Sequence, residues 1–173
     1  MEILIFSDAH GKNDGISQAL ARQKTVPDAV IFLGDGLRQL DRALFGGIPL
    51  FCVRGNCDRY TPLWEDCPEE QLLHPEGHTL LLTHGAAYGV KSGTGLLECA
   101  AVQKGADLAL FGHTHEPYLH TVPAGERVGG RTLERPLYLF NPGSIGYGGS
   151  FAVLDLADGR LSARLYRLGD PIE

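Results

Sequence analysis

Short apolar runs of four or five residues recur along the first two-thirds of this chain, separated by stretches of helical or turn composition. Ile3–Phe6, Ala29–Leu33 and Leu50–Val53 are such runs, of strand length and too short for a buried helix. Gly11–Lys24 between the first two predicts a helix, Pro27 punctuates the chain after it, and Leu37–Phe45 predicts a short amphipathic helix closed by Gly46-Gly47. Residues 59–70 predict an irregular or lightly helical surface segment. Gln71–His74 and Thr79–Thr83 predict a hairpin around Pro75-Glu76-Gly77, and Gly95–Lys104 a helix leading into the apolar run Leu108–Phe111. Strands alternating with helices imply a layered core with partly parallel pairing. From Tyr118 the pattern changes to hairpins, Tyr118–Val122, Thr132–Phe140, Phe151–Asp155 and Leu161–Tyr166, with turns at Gly129-Gly130 and Asp158-Gly159. That tail predicts a second, mainly antiparallel sheet. The expected fold class is α/β, a two-sheet β-sandwich core flanked by helices.

What ends each run is more telling than the runs themselves. Ile3–Phe6 leads into Ser7-Asp8-Ala9-His10, Ala29–Leu33 into Gly34-Asp35-Gly36, and Leu50–Val53 into Arg54-Gly55-Asn56-Cys57-Asp58. Leu80–Leu82 leads into Thr83-His84-Gly85, and Leu108–Phe111 into Gly112-His113-Thr114-His115. All five deliver Asp, Asn or His at the carboxyl end, the edge of an α/β sheet where ligands bind. Asp8 and His10 are two residues apart, as are His113 and His115. In extended backbone such pairs point to one side, so each pair can address one point. Gly34, Gly55 and Gly112 precede ligand-type residues, where glycine permits a tight turn and close backbone approach.

Composition narrows the setting. No repeat, low-complexity tract or linker divides the 173 residues, which suit one domain spanning 1–173 around a single core. An apolar share of 43% with 21% charged residues excludes a disordered chain. The net charge of −6 argues against broad nucleic-acid or membrane-surface binding, which needs clustered Lys and Arg. Cys52, Cys57, Cys67 and Cys99 form no CxxC pair, so no disulfide framework is expected and a reducing compartment fits. The opening apolar run is too short and lacks the basic flank of a signal peptide, and no stretch reaches the ~20 apolar residues of a membrane span. A cytoplasmic location is the expectation.

The candidate ligands are two carboxylates, four imidazoles and one amide. Mixed nitrogen and oxygen ligation suits divalent Mn, Fe, Co, Ni or Zn; Mg or Ca cages of oxygen would not use four histidines. Seven side chains are too many for one ion with an open position and suit two ions sharing a bridge.

The set Asp8-Ala9-His10, Gly34-Asp35, Gly55-Asn56-Cys57-Asp58, His84-Gly85 and Gly112-His113-Thr114-His115 resembles the motif series of the calcineurin-like metallophosphoesterases. Asn141-Pro142-Gly143-Ser144 is similar to the element that follows the family's metal histidines. The likeness spans nearly the whole chain, and the Gly-Asn-Cys-Asp form resembles the family's small bacterial and archaeal phosphodiesterases. The resemblance implies two divalent ions, manganese first, with nickel, cobalt, iron or zinc as alternatives. Asp8, His10 and His115 would hold one ion, Asn56, His84 and His113 the other, and Asp35 would bridge them. A metal-bound hydroxide would then attack phosphorus in line. Two divalent ions, two carboxylates and one hydroxide leave a single positive charge, which a phosphodiester monoanion neutralises and a monoester dianion overshoots.

The expected activity is therefore phosphodiester hydrolysis of a small substrate. A phosphomonoesterase acting on nucleotides or phosphoproteins, and a non-catalytic scaffold like the retromer subunit of this fold, are the alternatives. The family's small members are compatible with a homo-oligomer, dimer or tetramer. Many relatives carry His where this chain has Cys57, so imidazole help to the leaving group, ordinarily about 10²–10⁴-fold, is lacking and good leaving groups are favoured. Cys57 and Asp58 are candidates for supporting the ligands from behind, and Arg54, with Asn56, for touching phosphate. Gly89–Gly95 imitates a phosphate-binding loop but has Val90 where glycine is needed, and reads as a mobile loop near the site. His74, His78 and His120 match no motif and read as packing or surface residues. Tyr60 and Trp64 suit either the site's rim or a subunit contact.

Overall fold

A computed structural model describes residues 1–12, 14–59 and 67–171. Most of the expected irregular segment, with Tyr60 and Trp64, lies outside the described residues. Two five-stranded sheets form the core. In the first, β1 (Glu2–Phe6) lies parallel to β2 (Ala29–Phe32), which continues to β3 (Leu50–Cys52). In the second, β4 (Glu70–Leu73) pairs antiparallel with β5 (Leu80–Thr83), and β5 runs parallel to β6 (Leu108–Leu110).

Alternation along each strand sorts its side chains between layers, because successive residues point to opposite faces. Ile3 and Ile5 of β1 join Ala29, Ile31, Leu80, Leu82, Leu108 and Leu110 in the seam between the sheets. Leu4 and Phe6 point the other way and pack with Ile16 and Ala19 of α1 (Asp14–Ala21). On the opposite flank Leu81 and Ala109 meet Leu97 and Ala101 of α2 (Gly95–Gln103). Helix, sheet, sheet and helix thus stack in the expected α/β sandwich.

The hairpin-rich tail does not build a sheet of its own. The long hairpin β11 (Ser150–Ala157) and β12 (Arg160–Arg167) extends the first sheet, with β11 antiparallel to β1. β7 (Pro117–Val122) and β10 (Leu137–Pro142) complete the second, with β10 parallel to β6. β1 and β6 are buried on both faces, and pairing on both edges satisfies their backbone groups. Alternation specifies which face a strand buries, not which edge it joins.

Two expected elements are divided. Thr132–Phe140 becomes β9 (Arg131–Thr132), paired with β8 (Arg127–Val128), and then β10, with Pro136 in the break. Leu37–Phe45 becomes two 3₁₀ turns, Leu37–Gln39 and Arg42–Phe45. Asp41 caps the second by accepting the Ala43 N–H, and a capping aspartate restarts a helix rather than continuing one. All four cysteines are free. No helix among the described residues is long and apolar enough to cross a membrane.

Candidate metal centre

The sandwich gathers the loops at the carboxyl ends of β1, β2, β3, β5 and β6, and with them most of the candidate ligands. Asp8 is buried, and its Oδ2 accepts from Ser7 Oγ at 2.6 Å and from the His113 N–H at 3.0 Å. Its Oδ1 faces His115 Nε2 at 3.2 Å, His10 Nε2 at 3.7 Å and His84 Nε2 at 4.0 Å. Asp35 Oδ1 accepts the Cys57 N–H at 2.8 Å, while its Oδ2 lies 3.3 Å from His84 Nε2 and 4.0 Å from His10 Nε2.

Among the described residues, three groups of candidate ligand atoms result, each compact enough for one ion: Asp8, His10 and His115; Asp35, His84 and His113; and His10, Asp35 and Cys57. Asp35 belongs to two of them. His113 and His115 therefore address different points, contrary to the expectation from their spacing. Neither they nor Asp8 and His10 are extended, since Asp8, His10, Asp35, His113 and His115 all have left-handed backbone, with φ between 46° and 69°. Such residues cost on the order of 1–3 kcal/mol each and persist where the surroundings over-determine them. Asn56 is exposed; its Nδ2 donates to Cys57 Sγ at 3.4 Å, and it lines a cavity together with His84 and Arg54.

The supports explain how the strain is held. The buried Asp58 carboxylate accepts the backbone N–H groups of Asp35, Gly36, Leu37 and Gly55, tying the loop after β2 to the loop after β3. Gly55 is needed there, because a Cβ would overlap Asp35 Oδ1. Asn141 Nδ2 donates to Gly112 O and Thr114 Oγ1, bracing the loop that carries both histidines. Ser144 Oγ donates to Asp8 O and accepts from the Tyr147 N–H. Tyr147 thereby stacks on His115, 5.5 Å between ring centroids and 15° between planes, with Lys12 Nζ 4.4 Å from its ring. Ser7 and Tyr147 were not legible as site residues. The glycines around Tyr147, next to Asn141–Ser144, were the available signal.

A test of metal fit lies in the unpaired atoms. Asp8 Oδ1 and His84 Nε2 are buried without a hydrogen-bond partner among the described residues, although buried polar atoms are ordinarily satisfied. His84 Nδ1 lies 2.7 Å from Leu33 O, so it carries the proton and leaves the Nε2 lone pair facing the carboxylates, the arrangement that orients metal-binding histidines. The donor set fits a divalent cation.

Titration reflects the same crowding. Burial acts to raise the Asp35 carboxyl, but His84 and the Cys57 N–H outweigh it and hold it well below the usual range. Burial acts to lower His84, and the Asp35 and Asp8 carboxylates override it to raise the imidazole. His113 is lowered by burial and by the charges of His84 and Lys91. The Cys57 thiol is pushed up to about 11 by desolvation and by Asp35.

His78, outside this cluster, pairs with Asp107 at 2.9 Å, and His74 and His120 contact Thr79 and Tyr118. The 89–95 stretch supplies Val90, Lys91, Gly93 and Thr94 to a second cavity of about 490 Å³ beside Thr114 and Tyr118.

A two-sheet sandwich with Asp and His at its strand ends is the form of a metallophosphoesterase. The calcineurin-like phosphoesterase superfamily domain matches residues 1–159, and the chain belongs to that superfamily. The probable metallophosphoesterase YsnB of Bacillus subtilis (strain 168) is 30% identical over all of this chain and 95% of its own length. Among solved structures, a predicted phosphoesterase from Streptococcus pneumoniae superposes with a TM-score of 0.74 at 22% identity, over 99% of this chain and 92% of that one. A Vps29 variant from Entamoeba histolytica gives 0.68 at 18% identity, over 96% and 98%. An archaeal phosphodiesterase gives 0.62 at 18% identity, over 96% and 100%. At these identities the three structures speak to fold.

Proposed function

We propose that this chain is a phosphodiesterase dependent on two divalent ions, with Asp8, His10 and His115 holding one, Asn56, His84 and His113 the other, and Asp35 shared. The observation that carries the reading is the pair Asp8 Oδ1 and His84 Nε2, both buried without a hydrogen-bond partner among the described residues and 4.0 Å apart. Bound divalent ions supply Lewis-acid activation of water and neutralise charge on the phosphoryl oxygens. The chain's own part is to aim and hold. Leu33 O keeps the His84 proton on Nδ1, Ser7 and the His113 N–H fix the Asp8 carboxylate, and Asp58 locks the Asp35 loop behind it. Arg54 and Asn56, in the adjoining cavity wall, offer N–H donors to phosphoryl oxygens. Preference for a diester follows from charge balance, and the name of the archaeal neighbour supports it.

The test strips the protein of metal, reloads it with Mn²⁺, and compares a bis-aryl phosphodiester with the aryl phosphomonoester of the same leaving group. Faster diester hydrolysis, lost by at least about 100-fold in Asp35→Asn, is expected. Strong preference for the monoester would replace the diesterase reading with a phosphomonoesterase. Inertness across a broad phosphoester panel in Mn, Ni, Co, Fe and Zn would favour a non-catalytic scaffold on this fold.

A further inference from the structure

The site opens into a cavity of about 520 Å³ beside His84 and Asn56, with Arg54, Arg59 and Glu69 in its wall. That volume is in the range of pockets that enclose small organic ligands, far more than one phosphoryl group needs. Among the described residues, two guanidinium groups against one carboxylate give the wall a positive excess, on a protein whose net charge is −6. Neither arginine makes an ion pair among the described residues. Arg54 Nε is buried without a hydrogen-bond partner among them, while the Arg54 backbone N–H is tied to Pro68 O at 2.7 Å. The backbone is held and the side-chain N–H has no acceptor, a state that an entering anion relieves. Guanidinium matches a phosphate through paired N–H···O bonds.

We propose that this cavity receives the arm of the diester that does not depart, and selects arms ending in a second phosphate through Arg54 and Arg59. The assignment rests on the phosphodiesterase reading and adds the substrate class to it: a diester joining a leaving group to a phosphorylated sugar, nucleoside or similar small alcohol. Arg59 is exposed, and Arg54 is half-buried two residues before Asn56.

Two p-nitrophenyl phosphodiesters test it, one with an ethyl arm and one with a 2-phosphoethyl arm, assayed with the Mn²⁺-loaded protein. The phosphorylated arm should raise kcat/KM by about tenfold or more, the worth of roughly one charge-assisted hydrogen bond. Arg59→Ala should bring the ratio of the two esters toward one, and Arg59→Glu should invert it. Cleavage of the ethyl ester with a wild-type ratio near one, or a ratio indifferent to Arg59→Glu, overturns the selection and leaves the phosphodiesterase reading standing. Failure to cleave either ester overturns both.

Discussion

Single atoms set the tolerances of this centre. A Cβ on Gly55 would meet the Asp35 backbone nitrogen at 2.5 Å and its Cγ at 2.7 Å, besides overlapping Oδ1. The carboxylate could turn aside, but the backbone nitrogen could not. Gly55→Ala should therefore displace Asp35, cost about 1–3 kcal/mol of stability, and weaken Mn²⁺ binding at least tenfold by titration calorimetry. Unchanged affinity would mean that Asp35 does not hold metal. Cys57 offers the opposite experiment. It is exposed, and although its thiol also interacts with Asp35, its backbone N–H holds Asp35 Oδ1 whatever side chain the position carries. Cys57→His should speed hydrolysis of diesters with alkyl leaving groups by up to about 100-fold and leave p-nitrophenyl esters almost unaffected. Equal effects on both would remove leaving-group protonation as the reason.

Elements are joined to one another by polar ties at their ends. Glu70 at the start of β4 accepts from Lys104 at the end of α2 and from Tyr88 in the 3₁₀ turn Ala86–Tyr88. The Lys104 hydrogen bond, then that of Tyr88, lowers the Glu70 carboxyl despite partial burial. Tyr88 is pushed up to about 12 by desolvation and by Glu70. A carboxyl lowered in the folded state contributes stability above its unfolded value of 4.5 and loses it as pH falls through the folded value. Both Glu70 and Lys104 are about a third exposed, which limits the contribution to about 1 kcal/mol. Glu70→Gln should thus be slightly less stable than the parent at pH 7 in urea melts, with the gap closing below the ordinary carboxylate range. A gap that persists or widens in acid would assign the effect to packing.

At the scale of the whole molecule, the unpaired buried groups of the centre join loops from both sheets, so an ion bound there braces the sandwich across its seam. A ligand at a hundred times its dissociation constant adds about 2.7 kcal/mol to folding, or roughly 5–10 °C in Tm for a chain of this size. Mn²⁺ should produce such a rise, a chelator should reverse it, and Asp8→Asn should abolish it. A Tm indifferent to metal would place ion binding elsewhere or nowhere.

How much was legible depends on range. The apolar runs, their alternation, and the Asp, Asn and His at their carboxyl ends are local patterns. They sufficed for the layered α/β class and for gathering Asp8, His10, Asp35, His84, His113 and His115 at one edge. What needed tertiary structure is pairing between distant segments. Glu2 lies opposite Asp155 in the sheet, and no local rule says that the last hairpin returns to the first strand. The left-handed backbone of the five candidate ligand residues, the four N–H groups gathered by Asp58, and the seat of Tyr147 on His115 all depend on such returns. Residue type and spacing, by themselves, determined which chemistry the strand ends carry. Strand pairing and loop closure decided which side chains meet and which atoms stay without a partner, because both depend on contacts between segments far apart in the chain.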